Sequence, residues 1–149
     1  MSLITDIADA VAAELNAAPP GTFAQAFTAA RHYRPQFDLA ELKTLRVSVV
    51  PKALAITSLG RTLNQHDLAV DVAVQKKLDD PTPGTEAAEM DGLMLLAEQI
   101  ADFFRLRRLT AQPSAVWVKT EHSPIYAMEH LEQKRVFTGV LTFTFRVMR

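Results

Sequence analysis

The longest run of alternating apolar and polar positions lies mid-chain, from Gln65 to Leu78. This period-two pattern predicts a β-strand with one apolar face. The residues on the mainly apolar face are His66, Leu68, Val70, Val72, Val74, Lys76 and Leu78. At about 3.3 Å per residue the strand is roughly 45 Å long, so it should cross the whole domain or project from it. If its edge is unpaired, its backbone groups are available to another subunit.

Two segments have the spacing of amphipathic helices. The first follows Ser2, a good capping residue, and carries apolar residues every four positions from Leu3 to Leu15 before the turn at 19–21. The second is predicted to begin at Thr85 and to carry an apolar stripe from Leu93 to Phe104. Three arginines at its end suit the negative pole of the helix dipole. They are Arg105, Arg107 and Arg108.

Shorter alternating runs predict the remaining strands. We expect strands from Phe23 to about Arg34-Pro35, from Leu45 to a stop at Pro51, over 115–119, and from Arg135 onward, with 53–58 ambiguous but extended. Asp38 should cap a helical turn through Leu42. In the last strand Phe143 and Phe145 should face the helices and Thr142 the opposite side. The predicted fold is a single α+β domain over 1–149: a mainly antiparallel sheet with long strands and two helices packed on one face.

Composition narrows the possible functions. The chain has 149 residues, a net charge of −1 and no cysteine, so it has neither a general attraction for nucleic acid nor a disulfide or cysteine-based metal site. Asp6, Asp9 and Glu14 interrupt the N-terminal apolar pattern. We therefore expect no signal peptide and no transmembrane helix.

No pattern of residues predicts an active site. Glycine-rich phosphate loops, GxSxG and HExxH are absent from the sequence. Two Glu-His pairs, at 121–122 and 129–130, have ligand chemistry but lie in one loop without fixed geometry. Asp79 and Asp80 are expected to be exposed turn residues. We predict no catalytic residue, no bound metal and no cofactor.

The arginines at 105, 107 and 108 are the candidate interface with a subunit or partner. Two alternatives stay open for them: charge complementarity at the end of a helix, and non-specific attraction to phosphate.

The order of motifs along nearly the whole chain resembles a family of small phage proteins. An amphipathic helix precedes Val49-Val50-Pro51, and Ser58-Leu59-Gly60-Arg61 leads into the long alternating strand at 67–78. A loop rich in Pro, Gly and Asp, an acidic-to-basic helix and the terminal segment at 137–143 complete the order. This layout resembles the tail terminator, or tail completion, proteins of the head–tail junction (neck) in tailed bacteriophages and prophages.

The resemblance implies a structural virion protein and not an enzyme. Such a protein forms a homo-oligomeric ring, typically a hexamer, that ends the tail tube and joins it to the head connector. Its implied partners are copies of itself, the tail tube protein and connector proteins, with DNA passing transiently through the ring and no membrane involved. Its implied location is the tail or neck of the virion, after assembly in the host cytoplasm.

Two alternatives are another connector, neck or minor tail component, and a small ligand-binding α+β domain. In a ring, the polar set Asp67, Asp71, Gln75 and Lys77 is the candidate lining of the lumen or face of a ribbon.

Overall fold

The computed structural model describes residues 2–33, 40–79 and 82–149. Within these ranges it has three α-helices, one 3-10 helix and five strands. In chain order these are α1 (Leu3–Asn16), β1 (Ala29–Arg31), the 3-10 helix (Glu41–Lys43), β2 (Arg46–Ser58), β3 (Asn64–Lys77), α2 (Pro83–Phe104), β4 (Val116–Glu121), α3 (Met128–Lys134) and β5 (Val136–Met148). The predicted α+β class is confirmed.

The sheet has the order β1-β2-β3-β5-β4, and only the β1–β2 pair is parallel. The long predicted strand is β3, and it is the central strand. It pairs with β2 on one side and with β5 on the other over nearly its full length. The strand therefore crosses the domain with both of its edges paired, and the expectation of an unpaired edge on this strand is wrong.

The hydrophobic core lies between one face of the sheet and the helices α1 and α2. Helix α1 begins where predicted, because Ser2 Oγ accepts a hydrogen bond from Thr5 N at 3.3 Å. Phe104 of α2 lies 4.8 Å, between ring centroids, from Phe143 and 6.2 Å from Phe145. All three phenylalanines are fully buried. The predicted register of β5 and the packing of two helices on one face are confirmed.

The segment around Phe23 and Phe27 is not a strand, contrary to prediction. The two rings lie 5.2 Å apart, and Phe23 packs at 5.4 Å on Phe103 of α2. The strand begins only at Ala29, whose backbone N–H and C=O are both bonded by the Asn16 side chain at 2.8 Å. Contacts with α2 thus take the place of pairing in the sheet. The predicted strand end at Arg34-Pro35 and the cap at Asp38 lie outside the described residues.

Three further boundaries differ from prediction. Pro51 does not end β2, because the strand absorbs it at an edge position with a register shift between Pro51 and Ala53. Helix α2 begins at Pro83 with Thr82 as its N-cap, three residues before the predicted cap at Thr85. The loop after β4 contains the short helix α3, which spans seven residues and has no side-chain cap.

Candidate assembly surface

The sheet extends beyond the helices that cover it. Leu54 and Ile56 of β2 lie on the core face of the sheet, directly opposite Leu68 and His66 of β3. Leu68 and His66 are only 0% and 8% exposed, but Leu54 and Ile56 are 47% and 57% exposed. Burial along β2 stops at Val50. The apolar face therefore continues into solvent on the β2 side of the central strand.

The turn that joins β2 to β3 adds to this exposed apolar surface. Leu59 N donates to Leu63 O at 3.1 Å, and Ser58 Oγ donates to Gly60 O at 3.2 Å. Leu59 and Leu63 are both exposed. Residues 52–63 are called the hairpin tip below. Clusters of exposed apolar side chains of this kind mark interaction surfaces more often than isolated ones do.

The outer backbone edge of the hairpin tip has no partner among the residues that the structure describes. Strand β1 pairs only with Val47–Val49. Asn64 and Arg149 exchange backbone hydrogen bonds of 2.8 and 2.9 Å. Because backbone groups alternate sides along a strand, the even-numbered residues at this end of β3 form their backbone hydrogen bonds with β5, and the odd-numbered ones form theirs with β2. Leu54 and Ile56 oppose even-numbered residues of β3 and therefore turn their N–H and C=O groups outward. An exposed apolar edge of this kind can accept another strand.

On the face of the sheet opposite the core, polar contacts join β3 to β5 and to β2. Asp67 accepts two hydrogen bonds from Arg146, at 2.8 and 3.2 Å. These bonds hold the pKa of Asp67 below its ordinary value. Thr142 Oγ1 donates to Asp71 Oδ1 at 2.6 Å, and Lys52 Nζ lies 3.8 Å from the same oxygen. Both carboxylates are thus engaged within the sheet.

The predicted lumen set does not behave as one exposed surface. Asp67, Asp71 and Lys77 are partly exposed, but Gln75 is buried. The 3-10 helix contacts β3, and its Leu42 is buried. Gln75 lies on the predicted face, opposite the core, but it is buried in the single subunit, so only Asp67, Asp71 and Lys77 stay available to line a lumen.

The three candidate interface arginines follow helix α2, which ends at Phe104. The guanidinium of Arg107 lies 3.9 Å over the Phe103 ring, and its Nε donates to Phe103 O at 2.9 Å. Arg108 forms an isolated antiparallel bridge with Val116 at the edge of β4. Arg105 is exposed. Arg107 therefore helps to hold the fold, and Arg105 and Arg108 lie at the surface.

Arg107 also binds the carboxylate of Glu14 on α1. Glu14 is buried, accepts from Thr110 N at 2.6 Å, and lies 3.2 Å from Arg107 Nη1. Burial acts to raise the pKa of Glu14, but the Thr110 hydrogen bonds and the charge of Arg107 outweigh it and lower the pKa. Glu14 and Arg107 also line a cleft of about 340 Å³, together with Thr110, the Phe103 ring and several alanines. The carboxylate is thus a structural link between α1 and the segment after α2.

Leu106 stands between these arginines in an unusual conformation. Its φ is 60°, a left-handed value that costs a branched residue about 1–2 kcal/mol. Its side chain is also 83% exposed. Neither the backbone nor solvation favours a leucine at this position. Strain of this kind tends to occur where function requires a particular geometry.

The other candidate ligands take part in local contacts. His122 Nε2 lies 2.9 Å from Ile125 O, and His130 Nδ1 lies 2.9 Å from Thr138 Oγ1. Asp79 pairs with Lys76 at 2.9 Å, and Asp80 lies outside the described residues. Over residues 2–33, 40–79 and 82–149, no group of three or more His, Cys, Asp or Glu side chains could hold a metal ion. Over the same ranges, no helix has the length and apolar character needed to span a bilayer.

Sequence reasoning did not identify Leu54, Ile56 or Leu106 as surface residues. Leu54 and Ile56 alternate with small residues over 53–58, and this alternation is the signal that the sequence offers. No sequence pattern signals the positive φ of Leu106, since leucine rarely adopts it.

No protein-family model matches the chain, and no curated protein sequence matches it. Among solved structures it is similar to the sheath/tube terminator of an extracellular contractile injection system, PVC, seen by cryo-EM in the extended state. The two share 15% sequence identity with a TM-score of 0.44. The alignment covers 100% of this chain, which spans 57% of the length of the other. These values are too low for a function to be inferred from the similarity.

Proposed function

We propose that this protein is a structural component that forms a ring at the end of a tail tube. The observation that carries the proposal is the hairpin tip, which combines exposed Leu54 and Ile56 with an outward-facing backbone edge. Such a surface requires a partner to bury it. The order of motifs in the sequence resembles that of phage tail terminators. This resemblance is the reason for proposing a ring at the end of a tail tube. In this proposal six copies close the ring and join the tube to the head connector.

The hydrogen bonds and ion pairs of the buried and partly buried carboxylates favour a structural role over an enzymatic one. Glu14, Asp67 and Asp71 are bonded to neighbouring side chains or backbone, so each is committed to the fold. A general acid or base needs a tuned pKa and access to a substrate. The second candidate, a ligand-binding domain, would use the cleft beside Glu14 or the cavity of about 410 Å³ beside Trp117 and Arg146. The carboxylate of Glu14 and the guanidinium of Arg146 are both already paired within the fold.

The ring assigns roles to the two polar surfaces. Asp67, Asp71 and Lys77 are proposed to line the lumen, where mixed charge lets DNA pass without being held. Arg105 and Arg108 are proposed to contact a neighbouring subunit or the tube protein. The assembled protein would then reside in the tail or neck of a virion and meet DNA only in transit.

Electron microscopy of tube ends tests this function. Tube protein from the same genome is assembled with and without the purified protein. We expect added density at one end of the tubes, and binding to the tube protein in preference to head connector proteins. A connector or other neck component would show the opposite preference. The proposal is wrong if the protein binds neither partner and remains monomeric with both.

A further inference from the structure

We propose that the outer edge of β2 at the hairpin tip pairs with the outer edge of β4 in a second copy of the chain. The sheets of neighbouring subunits would then join edge to edge around the ring. This inference rests on the proposed ring and names the two strands that close it.

The two strand edges lie on opposite sides of the sheet and overlap in height. Lys119, Thr144, Ala69 and Ala53 are successive cross-strand partners, so one row leads from β4 to the start of the hairpin tip. Arg108 bridges Val116, which leaves 118–121 of β4 without a backbone partner on its outer side among the described residues. Among the residues that the structure describes, β2 has no partner along its outer edge over 52–58.

The direction of the strands allows these edges to pair. β2, β3, β5 and β4 are joined by three successive antiparallel pairings, so β4 runs antiparallel to β2. If a second copy in the same orientation is placed beside the first, its β2 meets β4 with opposite polarity. The alternation of strand directions therefore continues across the junction, as in an ordinary antiparallel sheet.

The side chains at the two edges are complementary on both faces. Trp117 and Thr120 oppose Phe145 and Phe143, so they lie on the core face, as Leu54 and Ile56 do. The junction would place the half-buried indole of Trp117 beside these exposed aliphatic side chains, a favourable cross-strand combination.

On the other face, Ala53 and Ala55 would meet the ion pair between Lys119 and Glu121, whose charged atoms lie 3.1 Å apart. The small alanine side chains leave that ion pair in place.

Pairing of unlike edges also accounts for a closed ring. A contact between two different surfaces repeats from subunit to subunit and closes when the rotation allows it. Pairing of one β2 edge with another β2 edge would instead use up both surfaces and stop at a dimer.

Disulfide cross-linking tests the junction, because the natural chain has no cysteine. The double variants L54C/T120C and I56C/T120C represent two registers that differ by two residues. Cα atoms of hydrogen-bonded antiparallel partners lie about 5.5 Å apart, which suits a disulfide. On oxidation we expect one of the two variants to give a ladder of dimers, trimers and higher species on a non-reducing gel.

Single-cysteine variants are the first control, since each can give at most a dimer. L54C/L95C is the matched control, because Leu95 on α2 is as exposed as Leu54, at 47%. The inference is overturned if the protein is oligomeric by mass but neither pair gives a ladder, if L54C/L95C gives an equal ladder, or if position 54 cross-links only to itself or to tube protein. A strict monomer by mass contradicts the ring itself, so the two failures are distinguishable.

Discussion

Leu54 and Leu68 are direct partners across the β2–β3 ladder and share one face of the sheet, yet Leu68 is fully buried and Leu54 is 47% exposed. The difference arises because helices α1 and α2 cover the centre of the sheet and leave the tip of the hairpin uncovered. Exposing half of a leucine forfeits part of the roughly 1.5–3 kcal/mol that its full burial would contribute. Burial of Leu54 by a second subunit would recover this lost free energy.

Removal of the Phe143 ring tests the core. Phe143→Ala should lower the free energy of unfolding by about 3–5 kcal/mol, because the ring is fully buried against Phe104. Thr142→Ala, one residue away on the opposite face, should cost only about 1 kcal/mol through its hydrogen bond to Asp71. Urea unfolding of both variants measures the difference. Equal losses would contradict the assigned faces of β5.

Glu14 should contribute stability that depends on pH. Its pKa is lowered in the folded state, so its contribution is complete above the ordinary value of 4.5 and is lost as the pH falls through the lower folded value. Glu14→Gln should therefore cost about 1–2 kcal/mol near neutral pH. The difference in the free energy of unfolding between this variant and the natural protein should become smaller in acid. Unfolding curves at several pH values, with exposed Glu98→Gln as the control, test this, and a gap that widens in acid would contradict it.

Leu106→Gly should leave the stability of the subunit almost unchanged. Glycine relieves the left-handed strain of about 1–2 kcal/mol but loses about 0.5–1 kcal/mol through added freedom in the unfolded chain. Leu109, three residues later, is fully buried, and Leu109→Ala should cost about 2–5 kcal/mol. Thermal melting compares the two variants. A large loss from Leu106→Gly would show that its side chain packs within the subunit.

Charge reversal at Arg105 and Arg108 should impair assembly more than DNA retention. The natural protein should bind duplex DNA weakly, and salt at about 200 mM should abolish that binding. Lys43→Glu with Lys134→Glu changes the net charge equally at exposed sites elsewhere and serves as the control. Light scattering and a DNA filter assay at two salt concentrations measure both effects. Tight, salt-resistant DNA binding that only the arginine variant loses would favour a nucleic-acid protein instead.

The features predicted from sequence are those set by local periodicity. The apolar side of an element can be predicted from the alternation in β3 and β5 and from the four-residue spacing in α1. These apolar sides together predict the hydrophobic core. Phe23 and Phe27 show where this fails, because their alternation reflects packing on Phe103 and not pairing in the sheet.

The candidate assembly surface could be predicted only in part. The exposure of Leu54 and Ile56 depends on where α1 stops covering the sheet, which is a tertiary property absent from the local pattern. Pro51 was expected to end β2, but the bulge after it carries the strand on into the hairpin tip. The sequence predicts an unusually long strand, β3, but the edge without a partner among the described residues belongs to its neighbour β2.

The mass of the protein in solution tests the central claim, that the hairpin tip closes a ring. Native mass spectrometry should find a species of six times the 16.5 kDa chain, alone or after tube protein is added. Leu54→Glu should reduce it to the monomer without changing the melting temperature, and the equally exposed Leu95→Glu should assemble normally. A natural protein that stays monomeric with tube protein present, or a Leu54→Glu variant that assembles as fully as the natural one, would contradict the claim.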